Sequence, residues 1–431
     1  MPVRKGVDAV ERLLIEGGRR LEGEIRVQGA KNSALPCLAA AVVTGQTSVL
    51  TRCPCLRDTE AAMQILRHIG CETVRAGERV IVRSASPTRW DVPQSLMRRM
   101  RSSIIFLGAL LSRFGRAELS APGGCEIGLR PIDLHLSALS ALGVQIETDC
   151  GKLICRAPNG LHGASITLSF PSVGATENIL LCAVGADGKT VIRNAAREPE
   201  ILDLAAFLNG CGAAIEGAGS DTITVTPTDG FRSYEHAVMP DRIAAATFMA
   251  AAAVTGGSVR LLDTAPEYLT PVLPFFEQTG CAVQISGADV LLRAPQRLQS
   301  ARTVRTMPYP GFPTDFQASA MAMAAAAQGT SIFVETIFEN RFKHVPELRR
   351  MGAKITVQNN VAVVEGVPRL CGASVQATDL RGGSALVTAA LAAQGETSVC
   401  CIGHIDRGME QFEHNLAKLG ARIKRIDTDA E

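Results

Sequence analysis

The chain has 431 residues, of which 46% are hydrophobic and 20% are charged, and its formal net charge is +2. This length exceeds what one ordinary hydrophobic core supports, so the sequence predicts at least two domains. The nearly neutral charge balance gives no electrostatic support for binding nucleic acid or a membrane surface. No apolar run approaches the roughly 20 residues of a membrane-spanning helix, and the charged first twenty residues predict no secretory signal.

The 13 cysteines show no spacing that is typical of a metal site. Cys53 and Cys55, like Cys400 and Cys401, lie too close together for a zinc motif, and no cluster of histidines and further cysteines accompanies them. Cysteines that are mostly buried as free thiols are typical of a reducing compartment. The sequence therefore predicts a cytoplasmic protein without a metal site.

A repeated pattern runs along the whole chain. A glycine followed by a short β-like run recurs at spacings of 73, 69, 68, 72 and 68 residues, namely at Gly70, Gly143, Gly212, Gly280, Gly352 and Gly420. Each of these glycines ends an amphipathic segment, such as 58–69 or 410–419, as the C-cap of a helix does. The pattern predicts six copies of one structural unit.

A second set of glycines lies earlier in each copy and leads into a β-branched run, namely Gly45, Gly115, Gly188, Gly257, Gly329 and Gly395. Alanine-rich apolar segments precede them and predict helices at 33–43, 102–111, 175–184, 244–254, 316–327 and 384–393. Hairpins with turns such as 149–152 and 359–360 follow most glycines of the first set. The predicted fold class is therefore α/β, with two domains of three βαβαββ units each.

The ends of the chain complement each other in this scheme. The last copy has room for only one strand of its hairpin, and residues 11–30 resemble the missing part. We therefore expect residues 11–30 to complete the sixth unit. This predicts one domain from residues 1–31 and 240–431, a second from residues 32–239, and a ligand cleft between them.

Charged residues stand where the alanine-rich helices begin, namely Lys31, Arg101, Arg242, Asp315 and Arg381. Free backbone amides and the helix dipole make such positions favourable for anions. For any one of these residues, a solvated charge near a helix cap is an equally simple interpretation. Together, if they face the cleft, they predict a substrate that carries phosphate or carboxylate groups.

The segment 122–135 holds Cys125 among glycines and is followed closely by Arg130. Glycines allow a loop to bring its amides close to a ligand. A thiol near a cation can act as nucleophile or acid. The alternative is a tight turn with an ordinary cysteine.

Several motifs resemble those of the UDP-N-acetylglucosamine enolpyruvyl transferase family over residues 14–425. They are Gly29-Ala30-Lys31-Asn32, Pro122-Gly123-Gly124-Cys125, Arg130-Pro131-Ile132-Asp133-Leu134-His135, Ser172-Val173-Gly174-Ala175-Thr176, Phe312-Pro313-Thr314-Asp315, Ala377-Thr378-Asp379-Leu380-Arg381 and His404-Ile405-Asp406-Arg407-Gly408. The resemblance implies an inside-out α/β barrel in two domains. It also implies transfer of the enolpyruvyl group of phosphoenolpyruvate to the 3′-hydroxyl of UDP-N-acetylglucosamine, the first committed step of peptidoglycan synthesis, with no metal or organic cofactor.

Two other interpretations remain open. The chain could be a 5-enolpyruvylshikimate-3-phosphate synthase-like transferase, which shares the six-unit architecture but lacks the cysteine loop. It could also be a non-catalytic paralogue that binds the nucleotide sugar and regulates the pathway. The sequence leaves the oligomeric state open.

The resemblance also implies roles for individual residues. Cys125 is expected as the general acid and Asp315 as the base. Phosphoenolpyruvate is expected to contact Lys31, Asn32, Arg130 and Arg407. The nucleotide sugar is expected to contact Arg101, Arg130, Pro131, Ile132, Asp133, Leu134, Ser172, Val173, Asp315 and Ile337, and Asp379 and Arg381 are expected as further cleft residues.

The chain departs from one variant of the family pattern at Phe170, where some members have lysine. This removes a charged contact to the nucleotide. The resemblance further implies that the epoxide fosfomycin modifies Cys125.

Overall fold

The protein is described by a computed structural model over residues 11–120 and 132–427, without the side chain of Arg101. The α-helices of these ranges are α1 Lys31–Thr44, α2 Arg57–Ile69, α3 Gln94–Met97, α4 Phe106–Phe114, α5 Asp133–Ala141, α6 Val173–Ala183, α7 Pro199–Gly210, α8 Arg242–Val254, α9 Leu273–Gln278, α10 Thr314–Ala326, α11 Val345–Arg350, α12 Leu380–Ala392 and α13 Phe412–Lys418. Short 3-10 helices cover Arg101–Ile105, Pro266–Leu269 and Ile402–Arg407.

The strands of these ranges are β1 Glu11–Glu16, β2 Glu22–Arg26, β3 Thr47–Thr51, β4 Glu72–Ala76, β5 Arg79–Arg83, β6 Asp91–Val92, β7 Arg116–Ser120, β8 Gln145–Asp149, β9 Lys152–Arg156, β10 Ser165–Thr167, β11 Thr190–Arg193, β12 Ala214–Glu216, β13 Thr222–Thr226, β14 Tyr234–Ala237, β15 Ser258–Leu262, β16 Ala282–Ser286, β17 Asp289–Arg293, β18 Thr303–Arg305, β19 Thr330–Val334, β20 Lys354–Gln358, β21 Val361–Glu365, β22 Ser374–Gln376, β23 Glu396–Cys400 and β24 Arg422–Asp427. None of the described helices is long and apolar enough to cross a membrane.

The strands of the described residues form six four-stranded sheets of one design. In the sheet β6-β7-β9-β8, the first pair is parallel and the other two pairs are antiparallel. The same order of parallel and antiparallel pairs recurs in the other sheets, for example β10-β11-β13-β12. The predicted α/β fold class with six βαβαββ units is confirmed.

The glycines of the first set end the second helix of each unit as predicted. All have left-handed backbone angles, with φ from 88° at Gly352 to 112° at Gly212. In the fourth unit the earlier glycine is displaced by one position, because Gly256 has φ 64° while Gly257 does not lie in the left-handed region. Gly257 instead packs against the backbone of Leu21, whose carbonyl oxygen leaves no room for a Cβ atom.

The alanine-rich helices also form where they were predicted, within a few residues at either end. They are almost completely buried: in α8 every residue from Arg242 to Ala253 is buried. Such burial requires small side chains, since the neighbouring helices α10 and α12 pack directly against this helix. In the second unit the predicted helix 102–111 instead begins as the 3-10 helix Arg101–Ile105 and continues as α4.

The N-terminal residues complete two different units. Strand β1 lies between β23 and β24, so it supplies the missing hairpin strand of the sixth unit, as predicted. The prediction that all of residues 11–30 belong to the sixth unit was wrong for strand β2. This strand does not join the sheet of the sixth unit but pairs parallel to β15 of the fourth unit. Strand β14, which precedes α8 of the fourth unit, pairs parallel to β3 of the first unit. The first and fourth units therefore exchange their opening strands.

The buried hydrophobic residues form two separate clusters. One contains residues of 13–27 and 244–421, and the other contains residues of 34–238. The chain passes from one cluster to the other along two segments that lie side by side. Ala30 N–H donates to Met239 O at 2.7 Å, and Asp241 N–H donates to Gln28 O at 2.9 Å. On this basis we propose domains of residues 1–31 with 240–431 and of residues 32–239.

Candidate active site

The starts of three alanine-rich helices meet at one carboxylate. Asp315, in the first turn of α10, accepts a hydrogen bond from Arg381 of α12 at 2.9 Å. Asn32 of α1 approaches the same carboxylate oxygen at 3.5 Å. The structure therefore brings together the predicted residues Asn32, Asp315 and Arg381, which are far apart in the sequence.

A second arginine fixes the charge state of Asp315. Arg341 donates to Asp315 Oδ1 at 2.8 Å, and the side chains of Arg341 and Arg381 are only 3% and 6% exposed. Burial raises the pKa of Asp315, but Arg381, Arg341 and Lys31 lower it more, so the pKa lies well below its usual range. Asp315 is therefore an ionised carboxylate at neutral pH, the form that can accept a proton.

A second carboxylate holds the cations Lys31 and Arg407. Asp58, in the first turn of α2, lies 3.3 Å from Lys31 Nζ and accepts a hydrogen bond from Arg407 Nε at 2.8 Å. Burial lowers the pKa of Lys31, and Asp58 opposes that shift. Since Arg407 belongs to the last unit and Asp58 to the first, this contact joins the two hydrophobic clusters.

Asp379 shapes the start of α12. Its Oδ1 accepts hydrogen bonds from the backbone N–H groups of Arg381 and Gly382 at 3.0 and 3.1 Å. This is the N-cap interaction expected of an aspartate. Burial raises the pKa of Asp379, but Arg341, the backbone bonds and His344 lower it more. Asp379 thus orients the first turn from which Arg381 reaches Asp315.

Five of the residues expected to contact the nucleotide sugar lie at the starts of α5 and α6. Ile132, Asp133 and Leu134 lie at the start of α5, where Asp133 is exposed. Ser172 is the N-cap of α6 and accepts from Ala175 N–H at 3.3 Å, and Val173 is the first residue of that helix. The two helix starts are linked because Asn178 Nδ2 lies 3.0 Å from His135 Nδ1.

Ile337 is held close to the start of α10. Its backbone N–H donates to Glu335 Oε1 at 2.9 Å, and Thr314 Oγ1 donates to the other carboxylate oxygen of Glu335 at 3.0 Å. Ile337 therefore lies on a loop that is tied to the residue immediately before Asp315. Phe170 is 42% exposed, which leaves its ring accessible near Ser172.

Some predicted residues cannot be placed in this arrangement. Cys125, Arg130 and Pro131 lie in residues 121–131, outside the described residues. The side chain of Arg101 is likewise not described.

Arg242 does not contribute a free cation to the site. Its guanidinium forms two hydrogen bonds with Glu200, at 3.0 and 3.2 Å, and both side chains are buried. The charge of Arg242 is therefore neutralised by a partner from the other hydrophobic cluster.

Two residues of this site received no role from the sequence. Asp58 looks like an ordinary acidic residue in a helix first turn, where it complements the helix dipole. Arg341 lies in a loop before α11 and carries no cap signal. The signal available for both residues was their position near the start of a second helix, which is also the position of Arg407 in the last unit.

The arrangement can bind a compact, highly charged anion. Lys31, Arg407 and Arg381 converge on carboxylates that an incoming phosphate or carboxylate can replace as hydrogen-bond acceptors. Asp315 remains nearby as an ionised proton acceptor. These features suit a substrate with several anionic oxygens and a reacting hydroxyl group.

Comparison with known proteins agrees with this chemistry. The family model described as EPSP synthase (3-phosphoshikimate 1-carboxyvinyltransferase) matches residues 15–416. UDP-N-acetylglucosamine 1-carboxyvinyltransferase 1 of Symbiobacterium thermophilum is 49% identical over 96% of this chain and 95% of its own length. UDP-N-acetylglucosamine 1-carboxyvinyltransferase of Myxococcus xanthus is 44% identical over 96% of this chain and 99% of its own length.

Solved structures show the same architecture. The enolpyruvyl transferase NikO from Streptomyces tendae has a TM-score of 0.88 at 26% identity, covering 97% of this chain and 100% of NikO. An EPSP synthase from Acinetobacter baumannii has a TM-score of 0.74 at 18% identity and shares the fold, with 97% and 100% of the two chains covered. The chain belongs to the enolpyruvyl transferase family that the EPSP synthase model describes, and within it to the UDP-N-acetylglucosamine 1-carboxyvinyltransferases.

Proposed function

We propose that this protein transfers the enolpyruvyl group of phosphoenolpyruvate to the 3′-hydroxyl of UDP-N-acetylglucosamine and releases phosphate. The observation that carries the proposal is the 49% identity, over 96% of the chain, to a relative named for this activity. The product serves peptidoglycan synthesis. The twelve described cysteines are all free thiols, which supports a cytoplasmic location for the reaction.

The charges of the site support specific roles. Lys31 and Arg407, which Asp58 holds together, would bind the phosphate and carboxylate of phosphoenolpyruvate, and Asn32 and Arg130 would contribute further contacts to it. Asp315 would accept the proton of the sugar hydroxyl as its oxygen attacks C2 of phosphoenolpyruvate. Cys125 would donate a proton to the methylene carbon C3. The cationic groups would stabilise the charge that develops at C2.

The resulting adduct carries both the phosphate and the sugar oxygen on C2. Breaking the C2–O bond to phosphate and removing a proton from C3 restores the carbon–carbon double bond. The products are inorganic phosphate and the enolpyruvyl ether of the nucleotide sugar. Ile132, Asp133, Leu134, Ser172, Val173 and Ile337 would hold the nucleotide sugar during both steps, with Arg101, Pro131, Asp379 and Arg381 completing the cleft.

The direct test is phosphate release by the purified protein with phosphoenolpyruvate and each of two acceptors. We expect release with UDP-N-acetylglucosamine and none with shikimate 3-phosphate or without an acceptor. Release with shikimate 3-phosphate but not with UDP-N-acetylglucosamine would contradict the proposal. Binding of the nucleotide sugar without any release would instead indicate a non-catalytic paralogue.

Cys125 can be tested in the same assay. Loss of a general acid usually lowers the rate by about 10²–10⁴-fold, so Cys125→Ser should release phosphate much more slowly than the native protein. Cys55→Ser is the control, because it alters an exposed thiol, and it should keep the native rate.

Fosfomycin should alkylate Cys125 and no other thiol. Peptide mapping that finds the adduct on a different cysteine would refute this role.

A further inference from the structure

Three potential metal ligands that have no part in the proposed reaction lie close together. Cys37 comes from α1, Asp203 from α7 and His236 from β14, and their ligand atoms all lie within 4.8 Å of one another. The Cys37 thiol is completely buried, and the side chains of Asp203 and His236 are 11% and 9% exposed. We propose that these three residues form a binding site for a divalent transition metal, of which zinc is the best match.

The donor set favours zinc over harder or softer cations. One thiolate, one imidazole and one carboxylate are ligands that Zn²⁺ accepts together in a tetrahedral site. Ligand lengths of about 2.0–2.3 Å place the donor atoms of such a site roughly 3.3–3.8 Å apart. His236 Nε2 and Asp203 Oδ1 are 3.0 Å apart, and no two of the three ligand atoms are more than 4.8 Å apart, so side-chain shifts of about 1 Å or less bring all three to these distances.

The charge balance also favours a dication. Asp203 is a nearly buried carboxylate whose one ion-pair partner among the described residues is His236. A thiolate at Cys37 and the carboxylate of Asp203 would together neutralise Zn²⁺, so the occupied site would have no net charge. Burial of a charged group is tolerated when it is compensated in this way.

The surroundings resemble the outer shell of a metal site. Ser33 Oγ donates to Asp203, and Met239 N–H donates to the same carboxylate at 3.3 Å. The hydroxyl oxygen of Ser33 can accept a hydrogen bond from a water molecule that completes the metal's coordination as the fourth ligand. The ring of Phe207 packs edge-on against His236 with a centroid distance of 5.6 Å, which limits solvent access on that side.

Metal binding would exchange protons for the ion in a balanced way. The Cys37 thiol loses its proton to solvent. The proton on His236 Nε2 moves to Nδ1 of the same ring, so the imidazole stays neutral while Nε2 and Asp203 Oδ1 bind the metal. No electron is transferred. The bound ion would connect α1, α7 and β14. Met239 extends this network, because its N–H donates to Asp203 and its carbonyl oxygen accepts from Ala30 N–H. The expected effect is therefore stabilisation of the fold.

The test is titration of the full-length, untagged protein with Co²⁺, a spectroscopic substitute for Zn²⁺. We expect one Co²⁺ per chain, a thiolate-to-cobalt charge-transfer band, and loss of the band on addition of Zn²⁺. Removing a direct ligand should weaken binding at least as much as removing an outer-shell partner, which costs about 10–100-fold. Cys37→Ala should therefore lose the band, and Asp203→Asn and His236→Gln should bind Co²⁺ at least tenfold more weakly.

Cys182→Ala is the matched control, because Cys182 is also a buried helix thiol of the same hydrophobic cluster. It should keep both the band and the stoichiometry. Thermal unfolding supplies a second readout: Zn²⁺ should raise the Tm of the native protein and of Cys182→Ala, and leave that of Cys37→Ala unchanged. Absence of the band, or a band that persists in Cys37→Ala, would overturn the proposal and leave these residues as a hydrogen-bond network. Neither outcome depends on enolpyruvyl transfer.

Discussion

At the scale of single residues, two carboxylates determine where the cations of the candidate site lie. Asp58 contacts Lys31 and Arg407, while Asp315 contacts Arg341 and Arg381. Because these groups are largely buried, each charge strongly influences the position of its partners. A substrate anion must therefore bind to cations whose geometry the carboxylates have already arranged.

Asp58 should act as a positioning residue. Asp58→Asn leaves Lys31 and Arg407 without their shared counter-charge, so the two cations should move apart. A displacement of about 1 Å can cost on the order of 10²-fold in rate, and we expect kcat/KM for phosphoenolpyruvate to fall by at least tenfold. Glu60→Gln is the matched control, since Glu60 lies in the same helix turn and pairs with exposed Arg67. Native kinetics in Asp58→Asn would contradict this role.

Asp315 should be needed for the rate of phosphate release. Asp315→Asn removes the proposed proton acceptor, and loss of a general base usually costs about 10²–10⁴-fold. Steady-state kinetics should show this loss mainly in kcat, because the amide can still accept one hydrogen bond from an arginine. A drop confined to KM would indicate that Asp315 only binds substrate.

Asp315 should also affect stability in acid. Its folded pKa lies below the ordinary value of 3.8, so its ion pairs stabilise the native state above that value and are lost as the pH falls through the folded pKa. The free energy of unfolding, measured by urea denaturation, should fall as the pH is lowered from about 5 to 2. The fall should be shallower in Asp315→Asn, and equal slopes would rule out the effect.

At the scale of secondary-structure elements, the starts of the buried helices place the functional groups. Residues such as Asp379 and Ser172 first satisfy free N–H groups of their helices, and by doing so they orient the neighbouring Arg381 and Val173. Helix positions and caps were predictable because they depend on nearby residues. The 3-10 helix before α4 was not, since no nearby signal distinguishes it from an α-helical turn.

The cap of α12 can be tested by substitution. Asp379→Ala should lower the free energy of unfolding by about 0.5–2 kcal/mol, the usual range for loss of a cap. Asp379→Asn should lose less, because asparagine can still accept the backbone bonds. Chemical denaturation measures both, and equal losses would show that the charge rather than the cap matters.

At the scale of the whole molecule, the two hydrophobic clusters are joined by side-chain contacts as well as by the chain. Glu200 and Arg242 form a buried pair whose side chains are 4% and 9% exposed, and the residues lie on helices of different clusters. Asp58 and Arg407 form a second such link. The groups proposed to bind substrate come from both clusters, so their positions depend on the same contacts that hold the clusters together.

The Glu200–Arg242 pair should show strong coupling. Removing one partner of a buried ion pair leaves an uncompensated charge and usually costs about 3–5 kcal/mol, so Glu200→Gln and Arg242→Met should each be strongly destabilised. The double variant should be more stable than the sum of the two losses predicts. A double-mutant cycle by urea denaturation measures this, and additive losses would contradict the coupling.

The sequence by itself determined the six units, their helices and the glycines that end them, because periodicity and left-handed turns depend on residues within a few positions. It also identified Lys31, Asp315 and Arg381 as charged helix starts. Only the tertiary structure decided that β2 pairs with β15 while β14 pairs with β3. The few residues of a short strand do not specify the sheet edge with which it pairs. For the same reason Asp58 emerged only in three dimensions: its partner Arg407 is 349 positions away along the chain.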